Sequence, residues 1–259
     1  MALLTKTVGK KYTKDFKIYF TQGGKVVSPI HNIPLRAHDG LINVINEIPR
    51  FETGKFEMST KLEKNPILQD TKNGKLRFYP NLFPMKGSIW NYGAIPQTWE
   101  DPNHEDEITK LLGDNDPLDV IEIGNVKKEI GELYNAKVLG AIGLIDSGET
   151  DYKILAIDRR DPLYEKINNA DDIEKYKPNF IKETLRFFEN YKFVTGGKKN
   201  SFYKNGAVLS VEITNEIIER AHEYWKTMKK SDAEFKIDEN IDDSAKIEVD
   251  ENADSFYFA

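Results

Sequence analysis

The stretch Gly113–Gly124, GDNDPLDVIEIG, combines three aspartates within six positions with an apolar run directly after them. Pro117 cannot continue a helix, and it favours an extended backbone at Asp116. Because alternate residues of an extended segment share a face, we expect Asp114 and Asp116 to point the same way. The run Leu118–Ile123 predicts a strand, so the acidic side chains lie where a loop enters a sheet.

This acidic loop is a candidate cation site. Asp114, Asp116 and Asp119 repel one another unless protons or cations neutralise them, and oxygen-only ligands suit Mg²⁺, Mn²⁺ or Ca²⁺ rather than zinc. An EF-hand is excluded, because Asp119 stands where its turn glycine belongs and Asn125 replaces the closing glutamate. Aspartate and proline also form turns that are merely solvated, so the loop alone leaves both interpretations open.

The composition describes a globular chain with an acidic balance. Of 259 residues 39% are apolar and 31% charged, and the net charge of −6 disfavours a nucleic-acid binder, whose surface is basic. The absence of cysteine excludes disulfides, thiolate metal sites and cysteine nucleophiles. No stretch approaches the length of a membrane span, and the apolar run near the N-terminus is too short for a signal peptide. The cytoplasm is therefore the expected location.

Turn signals at short intervals predict many short strands. Gly23-Gly24 lies between two alternating segments and indicates a hairpin, and Asn73-Gly74 leads into a further predicted strand, Lys75–Tyr79. This spacing is typical of a barrel or a sandwich rather than a parallel sheet.

Helices are predicted late in the chain. An apolar pattern from Pro178 to Tyr191 predicts a helix with proline in its first turn. A stripe of apolar residues over Thr214–Lys230 predicts a second helix. Residues 231–259 are acidic and poor in large apolar side chains, so we expect an extended or partly disordered tail whose last aromatic residues can dock.

Acidic and basic residues alternate at strand spacing in two further segments. Lys55 and Glu57 share one face of a predicted strand, and Asp151 and Lys153 share one face of another. A single alternation of this kind is usually a solvated edge. Together with Arg77 and the acidic loop, the two segments indicate a site for a polyanion, in which carboxylates hold metals while cationic groups hold phosphates.

Several segments together resemble one enzyme family. GDNDPLDV fits the signature D-[SGDN]-D-[PE]-x-D of the family I soluble inorganic pyrophosphatases. The segments KGSIWNYGAIPQTWED (Lys86–Asp101), EIPRFETGKFEM (Glu47–Met58) and GKLRFYPNLFP (Gly74–Pro84) are similar to its other conserved segments. They follow the family's order over roughly residues 35–195. The N-terminal strands and the C-terminal helix and tail resemble the longer, eukaryotic type.

The resemblance implies a mainly β fold with helices, built on a closed five-stranded β-barrel of the OB type with an N-terminal strand extension. It implies a single pyrophosphatase domain over residues 1–230, with its core at about 35–195, followed by the acidic C-terminal tail 231–259. The implied reaction is hydrolysis of pyrophosphate to two phosphates with Mg²⁺, for which Mn²⁺ is a possible substitute. The implied assembly is a homodimer, while the acidic net charge and the lack of a membrane-spanning stretch predict neither nucleic-acid nor membrane partners.

The resemblance also implies a role for each site residue. The metals that bind without substrate would be held by Asp114, Asp119 and Asp151, and the base that takes a proton from the attacking water would be Asp116. The metals that arrive with the substrate would be held by Asp146 and Glu57, with Glu47 close by. The phosphates would be held by Lys55, Arg77, Lys153, Tyr191 and Lys192, and the aromatic residue lining the site would be Tyr92.

Position 88 departs from the family's pattern. The family usually reads KGYIWNYG, and that first tyrosine is commonly assigned as the proton donor to the leaving phosphate, whereas this chain has Ser88. An alcohol is a much poorer acid than a phenol. We therefore expect Lys55, Lys153, Lys192 or a water on a metal to replace the tyrosine, or turnover to be slower than in the family.

Two other functions compete with this interpretation. An OB-type barrel can bind nucleic acid or oligosaccharide without catalysis, but the acidic balance counts against that function. A metal-dependent nucleotide pyrophosphohydrolase is the second alternative. The chain contains neither the glutamate-rich Nudix motif nor the Asp-His-His triplet of the other soluble pyrophosphatase family.

Overall fold

The computed structural model describes residues 2–230, 234–239 and 244–259. Within these residues the chain forms thirteen strands and four α-helices, which confirms the predicted mainly β fold with helices. The strands are β1 (Leu3–Val8), β2 (Lys17–Gln22), β3 (Lys25–Val27), β4 (Ile42–Ile48), β5 (Phe56–Met58), β6 (Ile67–Gln69), β7 (Thr71–Lys72), β8 (Lys75–Leu76), β9 (Asn91–Ala94), β10 (Asp119–Glu122), β11 (Leu133–Asp146), β12 (Glu149–Asp158) and β13 (Ser201–Phe202). The α-helices are α1 (Pro29–Asn32), α2 (Ala170–Tyr176), α3 (Phe180–Asn190) and α4 (Val211–Thr227).

Six strands form the central sheet in the order β12, β10, β9, β4, β11, β13. Strands β10 and β12 are parallel, whereas the other neighbours are antiparallel. Strand β11 also pairs with β12, so β12, the first strand in this order, has both β10 and β11 as neighbours. This pattern supports the closed five-stranded barrel, which stays a prediction.

Apolar side chains fill the space on both faces of this sheet. The consecutive residues Val120 and Ile121 of β10 point to opposite faces and belong to separate core clusters. On one face, fully buried Trp90 stacks on Phe188 of α3 with ring centroids 5.0 Å apart. On the other face, Ile218 of α4 packs in the cluster of Val120. Burial of one large apolar side chain contributes about 1.5–3 kcal/mol, so these contacts fix α3 and α4 against the sheet.

A second sheet contains β1, β2, β6 and β5 in that order, with β3 paired to β2. Strands β2 and β3 form the hairpin that Gly23-Gly24 predicted, and Gln22 lies opposite Lys25. Strand β5 carries Glu57 and pairs with β6, so this sheet positions one of the predicted site residues.

The turn predicted at Asn73-Gly74 is confirmed, because β7 and β8 pair across it as a hairpin. The strand predicted over Lys75–Tyr79 is shorter in the structure, since β8 ends at Leu76. Beyond that point the backbone N–H of Tyr79 donates to the carbonyl of Thr53 at 2.6 Å instead of extending the hairpin.

The helix predicted from Pro178 is α3, but the prediction that proline lies in its first turn is wrong. Helix α3 begins at Phe180, after Asn179, whose φ of 65° is left-handed, so the proline precedes the helix. Helix α2 was not predicted, because seven residues are too few to show a helical period.

Helix α4 begins before the predicted Thr214. Ser210 caps it by accepting a hydrogen bond from the backbone N–H of Ile213, which satisfies one of the free N–H groups of the first turn. The helix ends at Thr227 rather than at Lys230.

The end of the tail contacts the rest of the protein. Tyr257 pairs in parallel with Leu82, and Phe258 stacks on Phe83 with ring centroids 5.1 Å apart. Residues 231–233 and 240–243 of the predicted tail lie outside the described residues, and its division from a domain over 1–230 stays a prediction. Among the described residues, no helix has the length and apolar character needed to cross a membrane.

Candidate active site

One cavity of about 250 Å³ brings the predicted site residues together. Its walls come from β4, β5, β9, β10, β12, the end of β11, the acidic loop, the segment after β8, and α3 with the residues that follow it. All thirteen residues predicted for the site line this cavity: Glu47, Lys55, Glu57, Arg77, Tyr92, Asp114, Asp116, Asp119, Asp146, Asp151, Lys153, Tyr191 and Lys192. The fold therefore assembles them as one site, while their individual roles stay predictions.

Lys153 lies at the centre of a buried cluster. Asp119, the first residue of β10, stands opposite Lys153 of β12 and accepts hydrogen bonds from its ammonium and from the hydroxyl of Tyr92. The same ammonium donates to Asp151 and, at 2.9 Å, to Tyr92 Oη. Although burial opposes it, the charges of Asp119 and Asp151 raise the pKa of Lys153, so this lysine stays protonated.

The acidic loop turns sharply between its first two aspartates. Asn115 has a φ of 74°, so the predicted extended backbone is wrong at this residue. The N–H of Asp116 donates to Asp114 Oδ1 at 3.0 Å, and both carboxylates still reach the cavity. Two backbone hydrogen bonds of 2.9 Å hold the loop, because the N–H of Glu100 donates to Asp116 O and the carbonyl of Glu100 accepts from Asn115 N.

Burial and mutual repulsion raise the pKa values of the acidic residues. Burial, followed by the charges of Asp151 and Asp116, raises the pKa of Asp114 to about 9. The pKa of Asp116 rises to about 6 through burial and the charge of Glu57. Burial raises the pKa of Asp151 to about 7 against the opposing charge of Lys153. Carboxyl groups that keep protons this strongly also favour a metal cation in the proton's place.

Glu100 was not predicted from the sequence. Its Oε1 accepts from the N–H of Tyr152 at 3.0 Å, whereas its Oε2 is buried without a hydrogen-bond partner among the described residues. Glu100, Asp114 and Asp151 each offer a carboxylate oxygen within 4.8 Å of the others. Oxygen atoms so arranged suit a hard divalent cation. Glu100 has no regular spacing to the acidic loop, so only the fold reveals it.

The cationic side chains at the other end of the cavity are paired with carboxylates. Lys55 Nζ donates to Glu57 at 2.5 Å and to Asp70 at 3.2 Å, and Arg77 donates to Asp70 as well. Asp70 was not predicted from the sequence. It holds two of the predicted phosphate-binding side chains side by side.

Asp146 and Glu47, both predicted metal ligands, also have protein partners. Asp146 accepts from the ammonium of Lys192 and, at 3.2 Å, from the hydroxyl of Tyr191. Against the effect of burial, the hydrogen bond from Lys192 lowers the pKa of Asp146. Glu47 Oε1 accepts from the N–H of Met58 at 2.6 Å, and burial raises the pKa of Glu47 well above its usual range.

Position 88 is turned away from the cavity. Ser88 is fully buried, and its hydroxyl donates to the carbonyl of Trp90 at 2.8 Å. Tyr79, which was not predicted from the sequence, does line the cavity. Burial raises the pKa of its phenol to about 12 against the charges of Lys55 and Lys153. A phenol is therefore present at the site, but at a different position.

The cavity thus places clustered carboxylates beside lysine, arginine and tyrosine side chains. Carboxylates of this kind bind divalent cations, and the cationic groups bind phosphoryl oxygens. Together they define a class of protein, the enzymes that use divalent cations to act on phosphate compounds.

Comparison with known proteins identifies the family within this class. The family model for inorganic pyrophosphatase matches residues 44–226. The inorganic pyrophosphatase of Encephalitozoon cuniculi is 49% identical over 238 residues, which are 91% of this chain and 86% of that protein. The chain therefore belongs to the inorganic pyrophosphatase family.

Solved structures agree with this assignment. Inorganic pyrophosphatase from Schistosoma japonicum superimposes with a TM-score of 0.90 at 37% identity, covering 99% of this chain and 100% of that chain. The N-terminally truncated vacuolar soluble pyrophosphatase of Trypanosoma cruzi, in complex with PPi, gives a TM-score of 0.80 at 36% identity, covering 87% of this chain and 90% of that chain. These relatives are eukaryotic, which confirms the eukaryotic type predicted from the sequence.

Proposed function

We propose that this chain hydrolyses inorganic pyrophosphate to two orthophosphates and that the reaction depends on Mg²⁺. One observation carries the proposal: carboxylates of Glu100, Asp114 and Asp151 converge to within 4.8 Å beside a cavity that also contains lysine and arginine side chains. Membership of the inorganic pyrophosphatase family supports pyrophosphate as the substrate.

The residues present fit divalent cations. Glu100 Oε2 is a buried oxygen without a partner among the described residues, and a cation would satisfy it. The raised pKa of Asp114 means that its charged form needs a compensating positive charge. Carboxylate oxygens favour Mg²⁺, with Mn²⁺ as a substitute. The proposed ligands are Asp114, Asp119 and Asp151 for ions bound without substrate, to which the cluster in the structure adds Glu100, and Asp146, Glu57 and Glu47 for ions that accompany the substrate.

Asp116 is the proposed general base. Bound divalent cations neutralise phosphate charge and lower the pKa of a coordinated water. The Asp116 carboxylate takes a proton from the attacking water. As the water oxygen bonds to phosphorus, the bond to the bridging oxygen breaks and the second phosphate leaves.

The proposed phosphate-binding residues are Lys55, Arg77, Lys153, Tyr191 and Lys192. All three of these lysines are paired with proposed metal ligands, since Lys55 contacts Glu57, Lys153 contacts Asp119 and Asp151, and Lys192 contacts Asp146. When these carboxylates serve as ligands, the lysines lose their partners and become free to bind phosphoryl oxygens. Tyr92 lines the site and orients Asp119, because its hydroxyl donates a hydrogen bond to that carboxylate.

Phosphate release from pyrophosphate, measured from micromolar to tens of millimolar Mg²⁺, tests this proposal. We expect activity that a chelator removes and that Mg²⁺ or Mn²⁺ restores. Glu100→Gln, which keeps the shape of the side chain but removes its charge, should weaken Mg²⁺ binding by about tenfold or more. The exposed residue Glu216 supplies the control variant Glu216→Gln, which should bind Mg²⁺ as the wild type does. Folded protein without activity at every Mg²⁺ concentration contradicts the proposal.

We also infer a homodimer in the cytoplasm from the resemblance noted in the sequence. Light scattering measures the mass of the particle directly, and a mass of one chain at micromolar concentration contradicts the dimer.

A further inference from the structure

The chain lacks a phenol at position 88, and its structure gives that position no access to substrate. Ser88 is fully buried, and its hydroxyl donates a hydrogen bond to the carbonyl of Trp90. The lysines considered as replacements, Lys55, Lys153 and Lys192, are already proposed to bind phosphate, and each is paired with a carboxylate when no metal is bound. Lys55 is paired with Glu57, and Lys153 is paired with Asp119.

The backbones of Tyr79 and Ser88 both hydrogen-bond to the adjacent residues Glu52 and Thr53. The N–H of Ser88 donates to the carbonyl of Glu52 at 3.0 Å, and the N–H of Tyr79 donates to the carbonyl of the next residue, Thr53, at 2.6 Å. Of these two neighbours only Tyr79 lines the cavity. The two backbone positions are therefore neighbours, but only position 79 brings a phenol to the cavity.

The ring of Tyr79 is fixed in place. It packs edge-on against Phe187, with ring centroids 5.5 Å apart, and against Tyr191, with centroids 5.9 Å apart. Only 4% of the Tyr79 residue surface is exposed, so the ring cannot reorient freely. A side chain already held in one orientation loses little entropy when it binds a ligand.

The hydroxyl of Tyr79 is available as a donor. Among the residues that the structure describes, no hydrogen-bond partner satisfies it. Unlike the hydroxyl of Tyr134, the hydroxyl of Tyr79 is not sealed from solvent, so it can donate to an oxygen that enters the cavity. Since the pKa of the phenol is about 12, the hydroxyl keeps its proton at neutral pH. The neighbouring cations Lys55 and Arg77 attract an anion to the same place.

We propose that Tyr79 donates a hydrogen bond to a phosphoryl oxygen of bound pyrophosphate and thereby supplies the phenol that position 88 lacks. The inference rests on the proposed function, because it assumes pyrophosphate in this cavity. Tyr79 is then a catalytic residue in direct contact with substrate, whereas Ser88 is a buried structural residue.

The test compares Tyr79→Phe with the matched control Tyr134→Phe. Tyr134 has a buried phenol hydroxyl without a partner among the described residues, but it packs in the other core cluster and does not line the cavity. Both variants lose one hydroxyl and keep the ring. The measurements are kcat and KM for pyrophosphate with Mg²⁺, the affinity for methylenediphosphonate in the presence of Mg²⁺, and the affinity for Mg²⁺ alone.

We expect Tyr79→Phe to lower kcat/KM and methylenediphosphonate affinity by about tenfold or more, because a hydrogen bond to a charged group is lost. Its Mg²⁺ affinity should match the wild type, and Tyr134→Phe should stay within about twofold of the wild type in every measurement. A wild type without activity overturns the proposed function itself. An active wild type with Tyr79→Phe no weaker than Tyr134→Phe overturns only the role of Tyr79.

Discussion

Asp119 and Lys153 stand opposite each other in the parallel register of β10 and β12, and the ammonium of Lys153 donates to the Asp119 carboxylate. The same ammonium pairs with Asp151, so two proposed metal ligands share one buried positive charge. Without metal, Lys153 is the group that neutralises them. The site is therefore built so that cation binding and the position of this lysine depend on each other.

Lys153→Met should destabilise the metal-free protein far more than the Mg²⁺-bound protein. Removing one partner of a buried ion pair leaves unpaired charge and costs about 3–5 kcal/mol, but bound Mg²⁺ would neutralise the same carboxylates. Thermal unfolding with and without Mg²⁺ measures the difference, and the rise of Tm on adding Mg²⁺ should exceed that of the wild type.

Lys128→Met is the control for this effect. Lys128 is fully buried and pairs with Asp158, and neither residue lines the cavity. Its loss should lower the Tm equally with and without Mg²⁺. If Mg²⁺ rescues both variants to the same extent, Lys153 does not compensate for absent cations.

Asp116→Asn should separate proton transfer from metal binding. The amide cannot accept the proton of the attacking water, so turnover should fall by about two orders of magnitude or more. Its Mg²⁺ affinity, measured by calorimetry, should stay near the wild-type value.

Asp119→Ala should show the complementary defect, because this carboxylate is proposed as a metal ligand. We expect weaker Mg²⁺ binding by calorimetry together with lower turnover. Equal Mg²⁺ affinities in Asp119→Ala and the wild type would remove Asp119 from the ligand set.

The metal-free protein should become less stable as the pH rises. The folded state keeps a proton on Asp114 up to about pH 9, whereas the ordinary pKa of an aspartate is 3.8. Folding therefore takes up protons between these values, and the free energy of unfolding falls as the pH increases through that range. The raised pKa values of Asp116, about 6, and Asp151, about 7, add to the loss over the lower part of the range.

Asp114→Asn removes the group with the largest shift among these three. Without metal at pH 8 we expect its Tm to exceed that of the wild type by about 2 °C or more, with little difference at pH 4. Glu216→Gln, at an exposed position, should show no pH-dependent gain. A metal-free Asp114→Asn protein that is less stable than the wild type at pH 8 contradicts the raised pKa of Asp114.

The residues found from the sequence were marked either by the acidic loop or by the family resemblance. Asp114 and Asp116 are recognisable because they lie together in one acidic loop. Glu100 and Tyr79 are not, because what marks them is tertiary: Glu100 accepts from a backbone N–H 52 residues away, and Tyr79 matters through its place on the cavity wall.

Local backbone geometry is the second feature that could not be predicted from the sequence. Proline at position 178 indicated a helix start, but the left-handed conformation of Asn179 moves the start beyond it. Asn115 adopts a left-handed conformation as well, and it breaks the extended segment expected between Asp114 and Asp116. Asparagine tolerates this conformation better than most residues, yet nothing in its neighbours shows when it will adopt it.

The tail is joined to the segment that carries two cavity residues, Arg77 and Tyr79. On one side of that segment, the N–H of Leu76 donates to Glu248 at 2.9 Å. On the other side, Asn81 Nδ2 donates to three tail carbonyls at 3.2, 2.9 and 3.0 Å, those of Asn252, Ala253 and Ser255. None of the described tail residues lines the cavity itself.

Removing residues 232–259 should therefore lower the Tm while leaving the active site able to turn over pyrophosphate. The hydrogen bonds of the tail support the backbone around Arg77 from outside, but the side-chain pairs of the cavity form without it.

Asn81→Asp is a finer version of the same test, because it keeps the oxygen that accepts from Gly87 N at 3.0 Å and removes the amide donor. We expect it to lower the Tm in the same direction, with turnover retained. Differential scanning calorimetry and phosphate release measure the two effects separately. A truncated protein that stays folded but loses most of its activity would mean that the tail is part of the working site.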